Sequence, residues 1–534
     1  MEQALARPAS VANPFASSWQ ALHRWPARAL LVVTLVLALL LGIPGVTVTT
    51  RLLEELFAIL DGVHRLAWGQ VPNLDFHSAV GPLAYYVPGL GYWLTGSFGA
   101  ALPLGMAFLL LPMGAIAAHI LPSRLTQSLS LPFGLFLLLI LAVPMNLGDA
   151  VNALSFGQFY NRVGWVGLSL LLVMFLAPVQ DRRNSIALDA LCAGCLTLLL
   201  FYFRATYGLV ALLFLVFMLT DAKQWRWSAL ALLGGCAAAV LIELLWHGSL
   251  GYWQDVLLAF SAGGWLRGTP AQLLELFLGN FADYVLIGLL VGVALWRRFS
   301  FRLLVFVCFC GASGFWLLNQ NDQRWGILAV HAASAVLAES IIRDMRSDRT
   351  RPVGSLVNPA GIKLYFFGFL FPTMVHCAIA LSLHAGTALA SGGQALGLPR
   401  LESVRLADLW TPGDFGGSQW YLGLVQDGLG AIGNLSQTPA PLLVLGGPNP
   451  FALALDLEPP RGDVANLRWG SSQNEFFHTA PQQLLRGVTT VLERTAAGGI
   501  GTMGPVYLPL VHQNFELVAR TADWIVFQRL AEPQ

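Results

Sequence analysis

The sequence predicts a mainly α-helical protein that crosses a membrane many times and ends in a small α/β region. Three observations predict this fold class. Of the 534 residues, 56% are hydrophobic and only 11% are charged, whereas ordinary soluble domains carry about 25% charged residues. Several apolar runs reach the roughly 20 residues needed to cross a bilayer. Beyond residue 385 the composition becomes polar, with turn residues and short β-like runs.

Eleven apolar segments are predicted to be membrane helices. Arg7, Arg24 and Arg28 precede the first, and no clear cleavage site follows it, so we expect a retained helix rather than a removed signal peptide. Prolines and glycines interrupt the apolar segment 80–97, which is predicted as either a re-entrant loop or a further short helix. The eleven predicted spans are 28–48, 98–119, 130–146, 162–178, 186–203, 207–220, 227–247, 276–296, 301–318, 325–341 and 363–385.

The distribution of Lys and Arg predicts the topology. With the N-terminus in the cytoplasm, sixteen of these residues fall on the cytoplasmic side and six on the other side, up to residue 385, as the positive-inside rule expects. We therefore expect a multi-pass protein of the bacterial inner membrane. Its predicted parts are a cytoplasmic N-terminus (1–27), a transmembrane domain (28–385), its periplasmic loop (49–97) and a soluble periplasmic α/β domain (386–534).

Within the polar C-terminal region, local patterns predict individual elements. Pro441–Leu445, Phe515–Arg520 and Trp524–Arg529 are predicted as strands, and Gln482–Arg494 as a helix. The net charge of +1 and the lack of a basic stripe argue against a nucleic-acid partner.

The stretch 51–93 is the most informative part of the sequence. Apolar residues recur with a helical period over 52–68, and Glu54, Asp61 and Arg65 fall on the opposite face. This pattern predicts an amphipathic helix on a membrane surface. The acids of this stretch suggest a general base that acts on the hydroxyl or amine of an acceptor, in a reaction of a lipid-linked substrate. The alternative interpretation is that they form an ordinary polar face exposed to solvent. The carboxylates of the stretch are Glu54, Glu55, Asp61 and Asp75.

Two groups of polar and aromatic residues are candidates for binding a sugar. Amide, carboxylate and hydroxyl groups can hydrogen-bond sugar hydroxyls, although the same polar runs also suit plain exposed turns. The candidates are His77, Tyr85 and Tyr86 in the loop, and Asn319, Asn321 and Asp322 between two apolar helices.

Three arginines on the predicted periplasmic side are candidates for binding a phosphate. Arg204, Arg267 and Arg324 each lie at the end of an apolar segment. Guanidinium groups form paired hydrogen bonds with phosphate oxygens, which favours a phosphate-binding role. The alternative interpretation is that each arginine only extends from a helix end to the membrane interface. A divalent cation near such a phosphate is compatible with the acids, but no ligand set is predicted.

The 51–93 stretch resembles the first extracytoplasmic loop of GT-C fold glycosyltransferases, such as the protein O-mannosyltransferases and the lipid A aminoarabinose transferase. In that loop an Asp-Glu pair after the first membrane helix precedes an amphipathic helix, Gly-x-x-x-Pro and a Pro-Leu-x-Tyr-like segment. The matching pieces here are Glu54-Glu55, the helix to Trp68, Gly69-Gln-Val-Pro72, which is one residue shorter, and Gly81-Pro82-Leu83-Ala84-Tyr85. Elsewhere the resemblance covers only the general layout.

The resemblance implies a polyprenyl-phosphate-linked sugar as donor and a carboxylate base that deprotonates an attacking acceptor, with inversion at the anomeric carbon. It places Glu54 where the family has its catalytic Asp. Because Glu reaches one methylene further, Glu55 and Asp75 remain alternative bases. We expect a glycosyltransferase whose partners are this donor, an extracytoplasmic acceptor (glycan, lipid or protein) and membrane lipids. A flippase for a lipid-linked saccharide and a non-catalytic envelope assembly protein are the rival functions.

Overall fold

A computed structural model describes residues 14–179, 185–321, 323–347, 357–435, 439–495 and 503–530. The helices in these ranges are α1 (Pro14–Gly42), α2 (Leu53–Ala67), α3 (Leu83–Thr95), α4 (Phe98–Arg124), α5 (Gln127–Ala142), α6 (Phe159–Val173), α7 (Ser185–Phe203), α8 (Ala205–Met218), α9 (Trp225–Trp246), α10 (Ser249–Gly263), α11 (Pro270–Gly279), α12 (Phe281–Arg297), α13 (Phe301–Gln320), α14 (Leu328–Ser347), α15 (Pro359–Leu389), α16 (Pro412–Gly433), α17 (Pro450–Leu455), α18 (Pro481–Leu484) and α19 (Gly504–Asn514). The strands are β1 (Thr47–Thr49), β2 (Gln394–Ala395), β3 (Val404–Leu406), β4 (Leu442–Leu445), β5 (Thr490–Arg494), β6 (Phe515–Arg520) and β7 (Trp524–Arg529).

Fewer helices than predicted are long and apolar enough to cross a membrane. In the described ranges there are six, within α1, α4, α7, α9, α13 and α15, and the pair α11–α12, bent by 60°, would make a seventh. The predicted count of eleven is therefore not confirmed, although every predicted segment overlaps a helix. Helices α5, α6 and α8 have only 16, 15 and 14 residues. Because α6 is buried along its whole length, its apolar composition reflects packing inside the bundle.

Helix α2 does not expose its polar face as the sequence pattern predicts. Its residues are buried almost throughout, and Asp61 and Arg65 are both 0% exposed. The guanidinium group of Arg65 donates to both carboxylate oxygens of Asp463, at 2.6 and 2.8 Å. The C-terminal region therefore covers the polar face of α2, which the sequence pattern predicted to be exposed on the side away from the membrane. The segment 80–97 forms the short helix α3.

The C-terminal region contains a four-stranded sheet. A separate strand pairing joins this region to the segment between α1 and α2. The sheet has the order β4-β5-β7-β6, with β4 parallel to β5 and the other pairs antiparallel. The three predicted strands are confirmed, but the predicted helix over 482–494 is wrong, because α18 ends at Leu484 and β5 follows. Strand β1, directly after α1, pairs in parallel with β3. This pairing holds the C-terminal region against the entry to α2.

Candidate active site

A cavity of about 120 Å³, partly open to solvent, lies between α2, α10 and the C-terminal region. Residues from several loops that are predicted to lie on one side of the membrane converge there. Its polar and charged lining residues are Glu55, His77, Ser78, Tyr85, Gln158, Tyr160, Arg204, Asp255, Arg267, Asn321, Asn466, Arg468, Ser471, Ser472, Gln473 and Thr479.

Only one of the three predicted catalytic acids lines this cavity. Neighbouring residues on an α-helix point about 100° apart, so Glu54 and Glu55 in the first turn of α2 face different surroundings. Glu55 is buried and lines the cavity. Glu54 instead accepts a hydrogen bond from Arg494 of β5 at 3.2 Å. Asp75 also lies outside the cavity lining and pairs with Arg461 at 2.6 Å.

The partner of Glu55 is an arginine that sequence reasoning missed. Arg468 donates to Oε1 of Glu55, and its side chain remains 43% exposed. It lies in an irregular segment of the C-terminal region, where the local sequence contains no motif that indicates a site. The contact exists only because the C-terminal region folds back over α2.

The predicted phosphate-binding arginines are divided between two places. Arg204 and Arg267 line the cavity, whereas Arg324 lies in an adjoining open depression that Arg267 also borders. The Arg204 guanidinium group lies 5.2 Å from the centre of the Tyr160 ring. The backbone of Arg267 is held by Asn319, which accepts from its N–H at 2.8 Å and donates to its carbonyl at 2.8 Å. Asn319 therefore positions Arg267 and does not itself line the cavity.

The predicted sugar-binding residues are also divided. His77, Tyr85 and Asn321 line the cavity. Tyr86 lies outside the lining and packs near Trp93, with ring centres 6.5 Å apart. Asp322 lies outside the described residues.

Asn321 has the clearest unused hydrogen-bonding capacity in the cavity. It is 1% exposed, and its side-chain oxygen accepts from Thr206 at 3.1 Å. Its side-chain nitrogen makes no hydrogen bond of 3.5 Å or less to the described residues, although the Tyr207 hydroxyl lies near it. Because buried polar groups are nearly always paired, this N–H group is available to a bound ligand.

A second buried carboxylate was missed in the sequence. Asp255 of α10 contacts Nδ1 of His77 at 2.8 Å and accepts from Asn73 at 2.8 Å and from the Ser78 N–H at 2.9 Å. The hydrogen bond to Asp255 raises the pKa of His77. One feature of the sequence could have indicated this residue: Asp255 is the single acid in the apolar run YWQDVLLAF. An isolated carboxylate in such a run needs a polar partner elsewhere in the protein. The network fixes α10 against the loop at one side of the cavity.

A buried cluster of three charges lies behind the cavity. The guanidinium group of Arg65 binds Asp463 through two nitrogens and Asp61 through its Nε at 2.8 Å. Burial alone would lower the pKa of Arg65, but the two carboxylates outweigh it and raise that pKa. Burial raises the pKa of Asp61 to about 6 although Arg65 opposes the shift. One guanidinium group therefore pairs with two carboxylates. It does not fully offset the effect of burial on Asp61, because the pKa of that carboxyl stays raised.

We expect the Asp61→Asn variant to alter the pH dependence of stability. Asp61 holds its proton more tightly when folded, with a pKa of about 6 against 3.8, so its contribution is present below pH 4 and is lost as the pH rises to about 6. The stability of the wild type relative to the variant should therefore fall across this range, by up to about 3 kcal/mol. Thermal unfolding in detergent at pH 4 to 7.5 measures this difference, and a difference that grows with pH would contradict the expectation.

Metal-ligand clusters are lacking from the described part of the chain. No group of three or more His, Cys, Asp or Glu residues there is arranged to hold a metal ion.

Comparisons with known proteins give matches at the level of structure. No family model and no curated protein matches the sequence. The chain is similar to the crystal structure of ArnT from Cupriavidus metallidurans in the apo state, with 16% identity and a TM-score of 0.44. It is also similar to ArnT from the same organism bound to undecaprenyl phosphate, with 14% identity and a TM-score of 0.45. Each match covers 97% of this chain and 100% of the solved chain.

Proposed function

We propose that this protein is an integral membrane glycosyltransferase that moves a sugar from a polyprenyl-phosphate donor to an extracytoplasmic acceptor. The observation that carries the proposal is one cavity in which the buried carboxylate of Glu55 lies together with Arg204 and Arg267. A carboxylate can accept a proton from an acceptor, and guanidinium groups stabilise a departing phosphate. Sugar transfer from a lipid phosphate needs both groups.

In the proposed reaction Glu55 is the general base. It takes the proton from an acceptor hydroxyl or amine, whose oxygen or nitrogen forms a bond to the anomeric carbon. The bond between that carbon and the phosphate oxygen breaks, and its electron pair stays on the phosphate. Attack and departure occur on opposite faces of the sugar, so the configuration inverts. Glu54 and Asp75 are disfavoured as bases because they pair with Arg494 and Arg461 outside the cavity.

At the phosphate end, Arg204 and Arg267 bind the donor. The Tyr160 ring contacts the guanidinium group of Arg204, and the Asn319 amide fixes the backbone of Arg267, so part of the freedom that phosphate binding would restrict is already lost. The unpaired N–H group of Asn321 is a further donor to a phosphate or sugar oxygen. His77, fixed by Asp255, contributes to the wall that contacts the sugar or the acceptor.

The polyprenyl chain is expected to lie along α10. Leu250, Trp253 and Leu257 are 70%, 46% and 58% exposed, and their spacing places them on one face of the helix. The next residue, Leu258, lines the cavity. An apolar face beside a cationic cavity suits a lipid whose tail stays in the bilayer while its phosphate reaches the two arginines. The excess of cytoplasmic Lys and Arg supports a periplasmic location for this cavity in a bacterial inner membrane.

Arg204→Met should weaken donor binding by about 10- to 100-fold, because a charge-assisted hydrogen bond to phosphate is lost. Binding of a fluorescent polyprenyl-phosphate sugar to the protein in nanodiscs measures the change. Arg324→Met is the matched control, since Arg324 is outside the cavity lining, and we expect it to remain within about threefold of wild type. Equal losses in the two variants would contradict the proposed phosphate site.

The reaction itself is tested by release of polyprenyl phosphate. The purified protein is incubated with a panel of polyprenyl-phosphate sugars and candidate acceptors. Sugar-dependent release of the lipid phosphate supports the transferase. Donor binding without turnover across the panel, together with movement of the intact donor between bilayer leaflets, favours a flippase instead.

A further inference from the structure

Arg468 is the only charged side chain that the described part of the C-terminal region contributes to the cavity lining. It belongs to the cavity segment, defined here as residues 463–473. This segment is fixed at Asp463 by Arg65 of α2. Near its other end, Ser471 accepts a hydrogen bond from Nη1 of Arg267 at 3.4 Å. Arg468 lies between these two attachments, and its long side chain is only partly buried.

The charges in the cavity move during the proposed reaction. Glu55 starts as an anion and becomes neutral when it takes the acceptor proton. The donor phosphate is a diester with one negative charge, and it leaves as a monoester with about −1.5 to −2 charges. The reaction therefore transfers about one negative charge from the base to the leaving phosphate, and the total charge of the cavity does not change.

From this we propose that Arg468 is a further ligand of the donor phosphate and moves from Glu55 towards the phosphate as the sugar is transferred. The inference rests on the proposed function. Before transfer, Arg468 balances the carboxylate of Glu55. After Glu55 is protonated, the acid that remains near Arg468 is Glu54, which Arg494 already pairs, whereas the phosphate has gained charge. Stabilisation aimed at the place where charge develops is the largest electrostatic contribution to many enzyme reactions.

Two features of the structure suit Arg468 to this movement. The backbone carbonyl of Arg468 accepts hydrogen bonds from the N–H groups of Ser472 and Gln473, so movement is confined to its long side chain, whose guanidinium group Glu55 holds. Its side chain is 43% exposed, while that of Glu55 is only 9% exposed. The arginine is therefore the partner that can leave the ion pair without burying an unpaired charge.

The inference predicts a difference between two lipids that differ in charge. The probes are a polyprenyl monophosphate and the methyl diester of the same lipid, bound to the protein in nanodiscs. Arg468→Met should weaken binding of the monophosphate about tenfold more than binding of the diester. Arg468→Lys should recover part of this difference, because it keeps the charge but not the paired geometry. Arg461→Met, from the same region and with an exposed side chain, should change neither affinity.

A double-variant cycle tests the movement itself. Glu55→Gln releases Arg468 from its anionic partner, so diester binding should become about fivefold tighter. The gain should disappear in the variant that carries both Glu55→Gln and Arg468→Met. A gain that persists in the double variant would overturn the inference, as would equal effects of Arg468→Met on the two lipids.

The outcomes also separate this inference from the proposed function. If the wild type binds both lipids and Arg204→Met weakens both, but Arg468→Met has no charge-dependent effect, then the proposed donor site stands and the role of Arg468 is refuted. If the wild type binds neither lipid, the proposed function and the inference both fail. Thermal unfolding of each variant shows whether the protein remains folded.

Discussion

Glu55→Gln is expected to reduce turnover by about 10²- to 10⁴-fold, the usual contribution of a general base. The amide keeps the size and shape of the side chain but cannot accept a proton from the acceptor. Because Arg204 and Arg267 remain to bind the donor phosphate and the change removes only the negative charge that pairs with Arg468, donor binding should be retained or become up to about fivefold tighter. Release of polyprenyl phosphate measures turnover, and binding of a labelled donor is measured separately.

The two other acids that the sequence suggested are matched controls for this prediction. Glu54→Gln and Asp75→Asn remove carboxylates that pair with Arg494 and Arg461 at partly exposed positions. We expect turnover to stay within about threefold of wild type in both, because exposed ion pairs contribute about 0–1 kcal/mol. If Glu54→Gln lost turnover while Glu55→Gln kept full activity, then Glu54 would be the base. That outcome would contradict the assignment of the active site to this cavity.

Arg65→Met is expected to destabilise the protein by about 3–5 kcal/mol, the typical effect of breaking a buried ion pair. Arg65 is the cation that compensates both Asp61 and Asp463, and all three side chains are at most 2% exposed. Removing it leaves two carboxylates in a buried site. The variant should also lose turnover, because Asp463 anchors the segment that brings Arg468 to the cavity.

Thermal unfolding and limited proteolysis measure the effect of Arg65→Met. Arg461→Met is the matched control, since Arg461 lies two residues before Asp463 and forms an exposed pair with Asp75. It should change stability by no more than about 1 kcal/mol. If Arg65→Met unfolds at the same temperature as the control, the buried cluster does not hold the C-terminal region to α2.

The helical membrane architecture could be predicted from the sequence because lipid contact and bundle packing both require apolar residues. For the same reason an apolar pattern alone does not determine the number of spans, and the eleven predicted spans are not confirmed. A buried helix such as α6 is as apolar as a lipid-facing one, and only its length of 15 residues distinguishes it. The short β-like runs that form β4, β6 and β7 were also recognised. The 482–494 segment was misread because its strand is defined by pairing with β4 and β7, whose paired residues lie 30 or more positions away in the chain.

The cavity could be predicted only in part. Glu55, Arg204, Arg267, His77 and Asn321 were identified because their charge or polarity is unusual beside apolar segments. Their grouping was not visible, since it depends on how the helices pack.

The polar residues of α2 show why the remainder was missed. A helical face that carries Asp61 and Arg65 has the same sequence pattern whether it faces water or a partner of opposite charge. The partner, Asp463, lies almost 400 residues further along the chain. Arg468 was missed for the same reason, because nothing local indicates that it reaches Glu55.

The most direct test of the central claim is a cryo-electron microscopy structure of the Glu55→Gln variant in nanodiscs with a polyprenyl-phosphate sugar. We expect the donor phosphate to contact Arg204 and Arg267, with the anomeric carbon facing the side chain at position 55 and the lipid chain along α10. A donor headgroup bound in the open depression beside Arg324, or a sugar directed away from α2, would contradict it.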